Sequence, residues 1–180
     1  IILNSINLGD GLDGLVGGTS IIFIIGDIII ASYLENPLAL KFSAILLATL
    51  LAFFLFNIFP AHCFMGDSGS LLLGFHWLSV PLILYSHTQT TITDIIIITL
   101  IPTYFYVDTI RVIMFRLMHK KSIVLPDKNH MHHIIFKKTN SVKTTTLSIY
   151  IYASLYVTIC IYTLVSKSSK IAIILFIILI

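Results

Sequence analysis

The sequence predicts an all-α polytopic membrane protein, a multi-helix transmembrane bundle whose polar loops gather on one side. Three observations predict it. Of the 180 residues, 57% are hydrophobic and only 11% are charged, against about a quarter charged in soluble domains. Mean hydropathy is +1.01. Several apolar runs also reach the roughly 20 residues that cross a hydrocarbon core, where helices satisfy the backbone groups that lipid cannot.

Taken in order, residues 1 to about 8 read as the tail of a span, and 17–34, 38–57, 70–86, 93–118 and 144–165 as complete spans. A further span begins at 171. Polar stretches separate them at 4–14, 35–37, 60–69, 87–93, 119–143 and 166–170. The chain opens I-I-L without a methionine and stops inside an apolar run, so a single membrane domain over 1–180, the C-terminal part of a longer protein, is expected. Cys63 and Cys160 suggest neither a disulfide framework nor a zinc site.

Of the 11 Lys and Arg, seven fall in one stretch: Arg116, Lys120, Lys121, Lys128, Lys137, Lys138 and Lys143. The positive-inside rule makes that stretch cytoplasmic. Counting back two spans puts 60–69 on the same side, and two more put 4–14 there.

Those three stretches carry the chemistry. In N-S-I-N-L-G-D-G-L-D-G, Asn4 and Asn7 are three apart, as are Asp10 and Asp13, so each pair can share a helix face. The glycines let a backbone approach a ligand closely. A polar turn between two helices is the plainer reading. A calcium-binding EF-hand fails, because the twelfth position from Asp10 is Ile21 where a glutamate is needed.

The second stretch, F-P-A-H-C-F-M-G-D-S-G-S, runs into a helix at Leu71. Asp67 or Ser68 can simply cap that helix, a role worth about 1 kcal/mol. Alternatively the helix N-terminus holds an anion while Asp67 holds a divalent cation.

The third, P-D-K-N-H-M-H-H, carries His130, His132 and His133. Three imidazoles can bind zinc, but the nearby lysines disfavour a further cation. Mixed His, Lys and Arg donors suit a diphosphate better. An exposed basic loop drawn to anionic headgroups is the bland reading of the lysines. Within the spans, Asp108 pairs with Arg111 three residues on, a structural role, while Asp27 has no legible partner.

Together the three stretches resemble the polyprenyl-phosphate N-acetylhexosamine-1-phosphate transferase family (glycosyltransferase family 4). N-S-I-N-L-G-D-G-L-D-G-L resembles its N-x-x-N-x-x-D-G-x-D-G-L motif, F-M-G-D-S-G-S its F-M-G-D-x-G-S motif, and D-K-N-H-M-H-H its D-x-x-H-x-H-H motif. They occur in family order, two spans apart. The H-x-H-H form is closer to the WecA and TagO branch than to MraY.

The resemblance implies a bacterial enzyme of the cytoplasmic (inner) membrane, its site facing the cytoplasm. It would transfer N-acetylhexosamine 1-phosphate from a UDP-N-acetylhexosamine to a polyprenyl phosphate and release UMP, at the start of cell-envelope glycan synthesis. It implies Mg²⁺ (Mn²⁺ as the alternative) on Asp67 with Asn7 close by. Asp13 would read the uracil edge and Phe64 stack on the ring. His130, His132 and His133 would contact phosphate or sugar, with Asn4, Asp10 and Lys128 completing the substrate site. The bilayer is the expected partner, with a homodimer allowed and no nucleic acid expected. The family's paired-aspartate motif, from an earlier loop, lies outside this chain, so the piece is expected to be inactive alone. A secondary transporter is the competing class; it would put its polar groups on broken helices at mid-membrane, near Gly26 and Asp27.

Overall fold

The computed structural model describes residues 2–87, 91–120, 122 and 129–167, and they are helical throughout their regular elements. The elements are α1 (Ile2–Gly9), α2 (Leu15–Tyr33), α3 (Pro37–Asn57), α4 (Gly66–His87), α5 (Ile92–Thr99), α6 (Thr103–Met118), α7 (Met131–Thr139) and α8 (Val142–Ser166). Four of them, α2, α3, α4 and α8, are long and apolar enough to cross a membrane. This is an all-α polytopic membrane protein.

Local chemistry sets the boundaries. Asn36 caps α3, its side chain accepting from the Ala39 N–H at 2.9 Å, and Pro37 fills a first-turn position that needs no donor. Thr91 and Asp94 form a reciprocal capping box at the start of α5. Ser141 accepts from the Thr144 N–H and opens α8.

The helices pack through an aromatic centre. Phe23 of α2 meets Trp77 of α4 edge-on at 5.8 Å and Phe105 of α6 at 6.1 Å, while Trp77 stacks on Phe105 at 6.0 Å. Such pairs add specific geometry to the burial of large rings. Helix α2 lies between α3 and α8. Gly26 lets α8 approach, since a Cβ there would sit 2.6 Å from Val157. Helix α3 is mostly exposed, presenting Ile45, Leu51 and Leu55 outward to lipid.

Four sequence expectations change. The span at 93–118 is two helices, α5 and α6, bent by 75° at a short break. Pro102 stands at the break, where its missing N–H cannot continue the helix ladder. The polar stretch 119–143 contains a nine-residue helix, α7, ended by Asn140 in the left-handed conformation. Helix α4 begins at Gly66, so Asp67 lies in its first turn and is not its cap. Asp27 does have a partner, His76, at 3.2 Å. The expected span from 171 and the proposed ligand Lys128 lie outside the described residues.

Candidate active site

The three polar stretches, the third described from residue 129 onward, meet at one end of the bundle. Asn4 and Asn7 do share helix α1, but Asp10 and Asp13 fall in the turn that follows, not on a helix face. That turn is shaped by its glycines. Gly14 has φ +73, a region that side chains disfavour, and Tyr150 of α8 donates its hydroxyl to the Gly14 carbonyl at 2.5 Å. Gly11 has no room for a Cβ, because one would collide with Nε2 of His132.

The second stretch closes onto the first. Asn7 Nδ2 donates to Asp67 Oδ1 at 3.0 Å across sixty residues of chain. Asp13 Oδ2 accepts from the Ala61 N–H at 3.0 Å. The Gly66 N–H donates to Asp10, yet burial dominates and holds that carboxyl above the usual carboxylate range. The loop before α4 is clamped from behind: Asn57 Nδ2 donates to the Cys63 carbonyl at 2.9 Å, and the Phe56 carbonyl accepts from the His62 and Cys63 N–H groups. Phe64 is left with 69% of its surface exposed, and Asp67 is exposed beside it. Asn4 is exposed too, whereas Asn7 is half-buried.

The histidines hang from Asp108. Its Oδ2 lies 2.8 Å from His130 Nδ1, and its Oδ1 accepts from the Met131 N–H and from Arg111, both at 2.8 Å. Arg111 also donates to the Asn129 carbonyl. One carboxylate therefore holds the start of α7 against α6. The bond to Asp108 places the neutral ring's proton on Nδ1 of His130 and turns Nε2 into an acceptor. His132 is buried over His130, their rings stacked 5.7 Å apart, and His133 follows at 4.2 Å from His132. Neither ring nitrogen of His132 has a hydrogen-bond partner. Burial, then the field of His133, pulls its pKa down to about 4, so the imidazole is neutral at pH 7. A buried polar group without partners is costly, and this one abuts Gly11 at the point where the three stretches converge.

Sequence reasoning gave Asp108 a purely structural pairing with Arg111; its grip on the histidine segment was missed. The three-residue spacing showed one partner, and nothing in sequence marked the other, 22 residues on. Tyr150 was missed for the same reason, its bond spanning 136 residues.

A hard cation suits the oxygen donors. Among the described residues no group of three or more His, Cys, Asp or Glu is arranged to hold a metal. Mg²⁺ does not need such a cage, since it keeps waters and binds through one or two carboxylates and a substrate's phosphates. Asp67, exposed and oriented by Asn7, fits that mode; two of the three imidazoles are otherwise placed, His130 on Asp108 and His132 buried.

The sequence model of the family described as glycosyl transferase family 4 matches residues 1–85, covering both the Asn7 and the Asp67 stretches. A probable undecaprenyl-phosphate N-acetylglucosaminyl 1-phosphate transferase of Bacillus subtilis (strain 168) is 36% identical over 179 residues, 99% of this chain and 49% of the relative. The chain belongs to glycosyl transferase family 4. Family 4 relatives of a second kind match shorter segments. A phospho-N-acetylmuramoyl-pentapeptide-transferase of Oceanobacillus iheyensis is 33% identical over 137 residues, 73% of this chain and 40% of the relative. Its counterpart in Dictyoglomus turgidum is 48% identical over 71 residues, 39% of this chain and 23% of the relative. The chain thus spans about half the length of the first of these family 4 relatives, and less of the others.

Proposed function

We propose that this chain supplies the nucleotide-sugar and metal end of a transferase that moves N-acetylhexosamine 1-phosphate from a UDP-sugar to a polyprenyl phosphate, releasing UMP. The observation that carries the proposal is the Asn7–Asp67 bond of 3.0 Å, which joins the first two family 4 motifs beside the third. The likeness to a probable undecaprenyl-phosphate N-acetylglucosaminyl 1-phosphate transferase supports the substrate class.

In this reading an oxygen of the lipid phosphate attacks the sugar-linked phosphorus, and the bond to UMP breaks. Phosphoryl transfer depends mainly on positioning and on spreading charge. Mg²⁺ would supply charge neutralisation on the diphosphate when bound to Asp67. Asn7 orients that carboxylate. Phe64 offers an unpacked ring for the uracil, and the Asp13 carboxylate, fixed by Ala61, can accept from a uracil N–H. His132 lends an imidazole with no competing protein partner, and His130 is aimed by Asp108. The lipid acceptor accounts for a site at the end of a membrane bundle. UMP release by the full-length protein, assayed over a panel of UDP-sugars with polyprenyl phosphate, tests the reading; absence of release from every UDP-N-acetylhexosamine would refute it.

Phe64→Ala is expected to raise the KM for the UDP-sugar by about tenfold, since base–aromatic stacking is worth about 1–3 kcal/mol. Thermal stability should not move, because the ring packs on little. A change confined to the lipid dependence would place the nucleotide elsewhere.

We also place the site on the cytoplasmic side. A cysteine introduced as Ser122→Cys should resist a membrane-impermeant reagent in intact cells and react after lysis. Labelling in intact cells would invert the topology.

A further inference from the structure

Helix α4 carries Asp67 in its first turn, and side-chain bonds, the Asp10 contact with the Gly66 N–H among them, hold the helix to its neighbours at three depths. Asn7 reaches Asp67 at the site end, at 3.0 Å. Deep in the bundle, His76 Nε2 lies 3.2 Å from Asp27 Oδ2 of α2. Towards the far end, Asn36 Nδ2 donates to the Ile83 carbonyl at 3.4 Å. Apart from the buried Ser70, the rest of the packed face of α4 is apolar, with Leu73, Trp77, Val80 and Leu84. In lipid, van der Waals packing and interhelical hydrogen bonds together decide how helices meet, so polar contacts help choose the register.

The middle bond is the strongest candidate for that role. Asp27 and His76 are 1% and 0% exposed. The ring of Phe42 lies over the imidazole at 5.2 Å and 23°, fixing its plane. His76 Nδ1 has no hydrogen-bond partner, so the imidazole is held by Asp27 on one side only. Helices α2 and α4 both start at the site end, just after Asp13 and just before Asp67. At 1.5 Å per residue, His76 sits about 14 Å along α4 from Asp67. A slip of one turn, about 5.4 Å, would carry Asp67 out of reach of Asn7.

We propose that Asp27 and His76 are positioning residues that fix the depth of α4, and through it the divalent-cation affinity of Asp67. The proposal rests on the reading of Asp67 as a metal ligand. It separates stability from function. Replacing a buried polar pair by apolar residues is often neutral or stabilising, because the desolvation cost goes with it. The same change removes the register. A pair with only a structural role would move stability and leave metal binding alone.

The test uses the full-length protein, with Mn²⁺ binding read by electron paramagnetic resonance, the Mg²⁺ half-saturation of UMP release, and thermal unfolding. For Asp27→Leu combined with His76→Leu, the unfolding temperature should hold or rise. Its Mn²⁺ Kd and Mg²⁺ half-saturation should both rise by about tenfold, the equivalent of one intramembrane polar contact. The exchange Asp27→His with His76→Asp should return both to within about threefold of the parent. A folded double-leucine protein with unchanged Mn²⁺ binding overturns the proposal, as does an exchange that restores nothing. If the double-leucine protein does not accumulate, the exchange decides alone, by the same threefold and tenfold marks. Asp67→Asn is the control: Mn²⁺ binding that survives it refutes the metal reading itself and the pin with it. Binding lost in Asp67→Asn but unmoved by the double-leucine change refutes the pin alone.

Discussion

Asp67→Asn in the full-length protein is expected to lower Mg²⁺-dependent turnover by on the order of 10³-fold, a barrier increase of about 4 kcal/mol. The amide is isosteric and keeps an oxygen that can accept from Asn7 Nδ2, so the 3.0 Å contact survives. What disappears is the negative charge. A divalent cation held by one or two carboxylates depends on that charge, since its remaining ligands are waters and phosphates. Asp67 is exposed and in the first turn of α4, so its loss should leave thermal unfolding nearly unchanged. Retention of more than a tenth of the turnover at saturating Mg²⁺ would show that another group holds the metal.

His132→Ala is expected to be nearly as severe, about 10²–10³-fold in turnover, the range for removing a preorganised donor at developing charge. The motivation is the pair of unpartnered ring nitrogens in a buried imidazole beside Gly11. Removal of zinc by a selective chelator should do nothing; activity lost that way and restored by zinc alone would reverse the assignment. The residue also predicts a pH dependence. Its pKa falls from 6.5 to about 4 on folding, because burial disfavours the charged ring. Between those values the unfolded chain takes up a proton that the folded one refuses. Stability from this group is therefore complete above pH 6.5 and is lost as pH falls towards 4. His132→Asn, which cannot titrate, should flatten the decline in unfolding temperature over that window.

The sequence carried the spans well where polar punctuation was strong. Asn36-Pro37 marks the start of α3 to within one residue of the expected 38, and the apolar runs of α2 and α8 are recovered with ends shifted by one or two. Where composition hides geometry, reading fails. An unbroken apolar run concealed the 75° bend at Pro102, and a stretch rich in His and Lys concealed α7. Gly66-Asp67-Ser68-Gly69 looks like a loop because glycine and aspartate disfavour helix interiors, yet α4 begins there. Motif order brought out the residues that converge, but not the bonds that hold them. Spacing reports partners three or four residues away; Asp108–His130 and Asp27–His76 are joined only by the tertiary fold.

The distribution of the site over the chain also bears on how a ribosome delivers it. The Asn7 and Asp67 stretches flank the α2–α3 hairpin, so their bond can close as soon as α4 has left the translocon. The histidines follow after the bent α5–α6 segment, where Asp108 and Arg111 hold the start of α7. A nascent chain that ends before α7 would already hold both partners of the Asn7–Asp67 bond, but neither the His132 ring that abuts Gly11 nor the Tyr150 hydroxyl that reaches the Gly14 carbonyl.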